Sequence, residues 1–154
     1  MQSGKVIGIF ITPEKGQAMN SVQEVYGTEA KGLEGDRYAQ SKGTFSKQEN
    51  LKQQVTFIES EALESVLRDY NLNITPTDTR RNILTEGIAL NHLVDKEFRV
   101  GELIFKGTEL CEPCGYLEKK AQKEDLKKVL KHRGGIRAKI LKGGLIKVGD
   151  SISH

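Results

Sequence analysis

Cys111 and Cys114 are the only two cysteines in the chain, and they enclose Glu112 and Pro113. A thiolate is both a nucleophile and a soft metal ligand, and neighbouring positive charge favours it. Pro113 fixes one backbone torsion between the two thiols and limits how they move relative to each other. Four chemistries are open to such a pair. A structural zinc site needs four ligands, but there is no second pair, and His92, His132 and His154 lack the usual close spacing. A thioredoxin-like redox motif belongs at a strand-to-helix junction in a βαβ context, which the flanking sequence lacks. Two small buried hydrophobes are the third reading. The fourth is a thiolate that ligates a soft metal or carries sulfur.

The elements that position the pair read mostly as strands. Glu109-Leu110 leads straight into Cys111, so the thiols fall where a rigid strand hands over to a turn. Lys5 to Thr12 is a buried strand stopped by Pro13, and Ser21 to Tyr26 is a second strand. Gly32 to Ser46 reads as a long polar loop. Val55-Thr56-Phe57-Ile58 is strand-like. Leu63, Val66, Leu67 and Tyr70 form one helical face, with Ser60 as N-cap and Asn71 as exit. Further strands are expected at Arg81 to Leu84, Phe98 to Val100, Leu103 to Phe105, Glu109-Leu110, Ile136 to Leu141 and Leu145 to Val148. Asn91 to Val94 reads as one helical turn. Leu117 to His132 reads as a lysine-rich helix closed by Gly134-Gly135. Many short strands with spaced glycine turns and two or more helices imply a mainly β, α+β fold. A small closed β-barrel solves the edge problem of such a set.

The bulk properties bound the remaining possibilities. A chain of 154 residues suits one domain, 1–154. Charged residues make up 29% but nearly cancel to a net +3, which argues against nucleic-acid binding. No apolar run approaches a bilayer span. The N-terminus lacks the pattern of a secretion signal, so a cytoplasmic protein with reduced thiols and no membrane association is expected.

Four ordered blocks make the chain resemble a known family. They are Leu33-Glu34-Gly35-Asp36-Arg37, Thr79-Arg80-Arg81-Asn82-Ile83, Leu110-Cys111-Glu112-Pro113-Cys114 and Arg133-Gly134-Gly135-Ile136-Arg137-Ala138. Together with the ending Gly144 to Asp150, they resemble the MOSC family, named for the C-terminal domain of molybdenum-cofactor sulfurases. The resemblance implies a barrel like the β-barrel domain of pyruvate kinase, and molybdenum-cofactor binding, sulfur handling or both. Related amidoxime-reducing proteins ligate molybdenum through a cysteine of this segment. Cys114 matches it as metal ligand or sulfur carrier, with Cys111 as the neighbour that tunes or exchanges with it.

Those reductases carry an extra N-terminal domain, and the sulfurases a pyridoxal-phosphate desulfurase domain, for which this chain leaves no room. The resemblance therefore implies partners: a separate cysteine desulfurase, which would bring the pyridoxal phosphate, or a molybdoenzyme or cofactor-biosynthesis protein. It also leaves open a small molybdenum-dependent reductase of N-hydroxylated compounds.

The phosphate of the pterin cofactor would call for bidentate cations. Arg80 or Arg81 with Asn82 suits it, only one of the two arginines facing inward if strand alternation holds. Arg137 is the second candidate, and Asp36 with Arg37 is either a ligand-facing pair or an internal ion pair that fixes its loop. Residues 116–133 carry seven basic side chains against three acidic ones. They read as the solvated face of a helix or, in a non-catalytic adaptor, as a dock for an acidic partner.

Overall fold

The computed structural model describes residues 3–14, 16–39, 54–112 and 126–154. Cys114, Pro113 and most of the lysine-rich stretch lie outside them. In chain order the strands are β1 (Ser3–Ile11), β2 (Asn20–Val22), β3 (Glu24–Thr28), β4 (Gly32–Leu33), β5 (Val55–Glu59), β6 (Ile83–Glu86), β7 (Glu97–Val100), β8 (Leu103–Leu110), β9 (Ile136–Lys142), β10 (Gly144–Lys147) and β11 (Ser151–Ser153). The helices are α1 (Ser60–Tyr70), α2 (Pro76–Thr79) and α3 (Leu126–Val129), with a 3-10 turn at Leu90–Leu93.

Seven strands close on themselves in the order β1, β11, β7, β8, β9, β5, β6 and back to β1. The ring is antiparallel except for β5 beside β6, whose parallel pairing needs the crossover that α1 and α2 supply. Strand β2 pairs with β1 outside the ring, and β10, β3 and β4 form a separate three-stranded sheet. The expected mainly β, small-barrel architecture is the one observed.

Alternation fills the barrel. On β9, Ile136, Ala138 and Ile140 are buried while Arg137 and Lys139 between them are not, so the charged positions face away from the core. Phe57, Phe98 and Phe105 meet at its centre, with ring centroids 5.2–5.6 Å apart. Strand β5 is buried on both faces. Val55 and Phe57 enter the barrel core, whereas Ile58 joins Leu63, Val66, Ile74, Leu84, Val129 and Leu130 in a second cluster beneath α1.

Several local expectations change. Ser21 to Tyr26 is two strands in two sheets, because the chain bends at Gln23, whose carbonyl accepts from Val148 N at 2.9 Å. Glu59 rather than Ser60 is the N-cap residue of α1, while Asn71 ends it in the left-handed conformation, φ 53°. The strand expected from Arg81 starts at Ile83 instead. Thr75 N donates to Asp78 Oδ2 at 2.9 Å to open α2, and Arg80 closes it at φ 57°. Strand alternation therefore does not govern Arg80 and Arg81, and both are buried.

Candidate functional site

The segment read as a polar loop supplies buried charge. After β4, Gly35 turns at φ 85°, a left-handed conformation that favours glycine, and the chain then sends Asp36 and Arg37 inward. Asp36 Oδ1 accepts from Thr12 N at 3.1 Å and Oδ2 from Tyr38 N at 3.3 Å. Arg37 Nη1 lies 3.4 Å from Asp36 Oδ1, and its Nη2 donates to Tyr38 Oη at 2.9 Å and Arg80 O at 3.4 Å. The Arg37 guanidinium also stacks 4.2 Å from the Tyr38 ring centroid and touches the Met19 sulfur at 3.7 Å. The pair is thus an internal lock that fixes Tyr38 in place.

Burial outweighs Arg37 and the backbone donors at Asp36, and its carboxyl is held above the ordinary 3.8. A raised folded value means that the native state binds the proton more tightly than the unfolded chain. The stability this contributes is complete below about 3.8 and is lost as pH rises through the higher folded value. Urea midpoints followed across that window should fall with pH in the native chain by more than in Asp36→Asn. Equal slopes would contradict this reading of Asp36.

The second block is anchored deeper. Asn82 Oδ1 accepts from Thr56 N at 3.0 Å and Thr56 Oγ1 at 3.1 Å, and its Nδ2 donates to Phe10 O at 3.1 Å. Asn82 therefore stitches β5 to β1 and the start of β6. Arg80 Nη1 donates to Gln17 O at 2.8 Å. Arg81 spreads its guanidinium over three main-chain carbonyls: Nε to Gly134 O at 2.8 Å, Nη1 to Thr79 O at 3.2 Å and Nη2 to Cys111 O at 3.0 Å.

The contacts to Gly134 O and Cys111 O together join the second, third and fourth sequence blocks. Cys111 extends the β8–β9 ladder, its N–H donating to Gly135 O at 2.8 Å, and only 3% of the residue is exposed. Gly135 is obligatory there: φ is 97°, and a Cβ would overlap the Phe57 carbonyl. Arg137, paired with Thr56 on β5 and Glu109 on β8, puts its guanidinium within hydrogen-bonding reach of the Cys111 sulfur. Glu109 Oε1 accepts from Arg137 Nη1 at 2.9 Å. Burial works against the Arg137 charge, but Cys111 and Glu109 together raise its pKa. Tyr38 closes the group. Burial raises its hydroxyl first, Cys111 and Asp36 add to this, and Arg37 and Arg81 oppose it.

Asp36, Arg37, Arg80, Arg81, Asn82, Cys111 and Arg137 thus belong to one connected region, on the side of β5, β8 and β9 turned away from the barrel core. Arg133 does not join it. It donates to Val129 O and Ser65 Oγ, both at 2.6 Å, and ties the end of α3 to α1. Tyr38, Glu109 and Thr56 were not singled out from the sequence. Tyr38 had a signal, since it directly follows Asp36-Arg37, whereas Thr56 and Glu109 look like ordinary strand residues. Among the described residues no group of three or more His, Cys, Asp or Glu side chains could hold a metal ion. No helix among them is long and apolar enough to cross a membrane.

Fold and site together define a closed β-barrel with a thiol held among arginines. A family model of the MOSC domain matches residues 27–153, and the chain belongs to the MOSC domain family, which is associated with the molybdenum cofactor and sulfur-related functions. Three solved structures share the fold. The YuaD protein of Bacillus subtilis superposes with a TM-score of 0.82 at 15% identity, covering 99% of this chain and 97% of that one. YiiM of Geobacillus stearothermophilus gives 0.72 at 16%, covering 97% and 74%. YiiM of Escherichia coli gives 0.68 at 18%, covering 97% and 68%. No curated protein matches the chain in a sequence comparison.

Proposed function

We propose that the chain is a sulfur carrier, holding sulfur as a persulfide on the Cys111–Cys114 segment for delivery to a metal–sulfur centre. The observation that supports this is the Arg81 guanidinium, which binds the carbonyls of Cys111 and Gly134 at once. It fixes the start of the cysteine segment beside Arg137, whose charge suits an anionic sulfur. Loading needs no redox partner. The Cys114 thiolate attacks the terminal sulfur of a donor persulfide, the donor's S–S bond breaks, and the donor cysteine leaves as thiolate. A pyridoxal-phosphate-dependent cysteine desulfurase is the class of donor that provides such a persulfide, and a reducing cytoplasm is the compartment that keeps the pair as thiols.

The same donor set fits molybdenum-cofactor binding in part. One thiolate suits the soft metal, but Arg37, Arg80, Arg81 and Arg137 all direct guanidinium nitrogens to protein acceptors and would have to share them with the cofactor's anionic groups. When bound, the cofactor would supply the redox chemistry of the metal, and this chain's residues would hold and orient it. The committed arginines favour the carrier reading over a fully enclosed cofactor.

Anaerobic incubation with a cysteine desulfurase and free cysteine tests the carrier. The native chain should gain the mass of one sulfur atom, removable by cyanide, and the Cys111→Ser, Cys114→Ser double variant should gain none. A native chain that stays at its original mass overturns the reading.

A further inference from the structure

Glu109 sits directly opposite Arg137 in the β8–β9 ladder. Its carboxylate holds one arm of that guanidinium at 2.9 Å from the half-exposed edge of the site. Two residues further on, Cys111 continues the same ladder through its bond to Gly135 O. Alternate residues of an extended chain share a face, so Glu109 and Cys111 flank Arg137 from the same side. The guanidinium is a fork of fixed donors, and whatever part of its charge Glu109 neutralises no longer attracts an anion approaching the sulfur. Cys111 and Arg81 both act electrostatically on Tyr38, but neither Tyr38 nor Arg81 hydrogen-bonds Glu109 among the described contacts.

We infer that Glu109 is a specificity-determining residue: by sharing Arg137 it sets how strongly the site prefers an anionic sulfur donor to a neutral one. The substrate class this implies is a small or protein-borne persulfide anion, met by Arg137 as it displaces the Glu109 carboxylate. The inference rests on the sulfur-carrier reading for its substrate and on the Glu109–Arg137–Cys111 arrangement for its mechanism, and the two can fail separately.

Two alkylating reagents of similar size, iodoacetate and iodoacetamide, differ in charge and serve as probes. In a Cys114→Ser background Cys111 is the sole thiol, and the ratio of its rate constants with the two reagents reports the local field. Glu109→Gln keeps the shape and removes the charge. It should raise the iodoacetate-to-iodoacetamide ratio by roughly 1.5- to fivefold, the range set by a partly exposed ion pair. Arg137→Gln should lower the ratio below that of the parent, Arg137→Lys should restore most of it, and added salt should compress the differences. A loosened structure would speed both reagents alike and leave the ratio unchanged, which would overturn the inference. So would a Cys111 closed to both reagents, because no anion would then have a path to Arg137. If the ratio moves but the native chain never accepts sulfur, the carrier reading fails and the charge selection stands. If the chain loads but the ratio is unmoved, only the role of Glu109 falls.

Discussion

Arg81→Leu should cost the protein at least about 3 kcal/mol of stability, since three buried carbonyls lose a charged donor at roughly 1–3 kcal/mol each. For a domain of this size that lowers the thermal midpoint by about 10 °C or more. The acceptors are Gly134, Thr79 and Cys111, which belong to three separate stretches of chain, so the loss loosens the site and not only the fold. Sulfur loading should therefore fall in Arg81→Leu even at temperatures where the barrel remains folded. Arg81→Lys keeps the charge but offers a compact ammonium in place of the planar fork. It can reach one or two of the carbonyls and should recover only part of the midpoint. Thermal denaturation followed by circular dichroism measures both variants. A Leu variant as stable as the native chain would show that the latch carries no weight.

The barrel was legible in the sequence because its signals are local. Glycine turns, short apolar runs and the α1 face each follow from periodicity or turn chemistry, and the strand set then leaves few closed arrangements. Asn71 could be read as the end of α1 because asparagine tolerates the left-handed conformation found there. The failures occurred where tertiary contacts override local pattern. Residues 32–39 look polar and loop-like, yet Asp36 and Arg37 are buried against Thr12, Tyr38 and Arg80. Nothing within that segment announces partners that lie far away in the sequence. Arg80 and Arg81 likewise look like alternating strand positions until Arg80 is seen to end α2 at φ 57°.

The candidate site was legible through motif blocks, and less so through roles. The four blocks put Arg81 and Asn82 forward as holders of a cofactor phosphate, and did not reveal that in the fold Arg81 serves main-chain carbonyls and Asn82 serves Thr56 and Phe10. Glu109 carried no signal at all, because its meaning comes from a cross-strand register that only pairing with Arg137 creates. The Cys114 assignment, as sulfur carrier and metal ligand, comes from the family resemblance, and its position lies outside the described residues.

Sulfur delivery is the claim on which the account stands, and the largest functional effect is expected there. A carrier with one reactive sulfur loses delivery completely when that sulfur is replaced by oxygen, since a serine hydroxyl cannot hold a persulfide. Cys111, buried beside Arg137 and anchored through its carbonyl, should support the reaction without itself carrying the delivered sulfur. The measurement is the recovery of activity in a molybdoenzyme stripped of its terminal sulfur by cyanide, after anaerobic mixing with persulfide-loaded protein and a thiol reductant. The reductant supplies the electrons that release the carried sulfur as hydrosulfide, and an equal amount of free sulfide is the reference. The native chain should restore activity well above that reference, Cys111→Ser more slowly, and Cys114→Ser not above it. Recovery no better than free sulfide with the native chain would contradict sulfur delivery by this segment, and undiminished recovery with Cys114→Ser would contradict its assignment to Cys114.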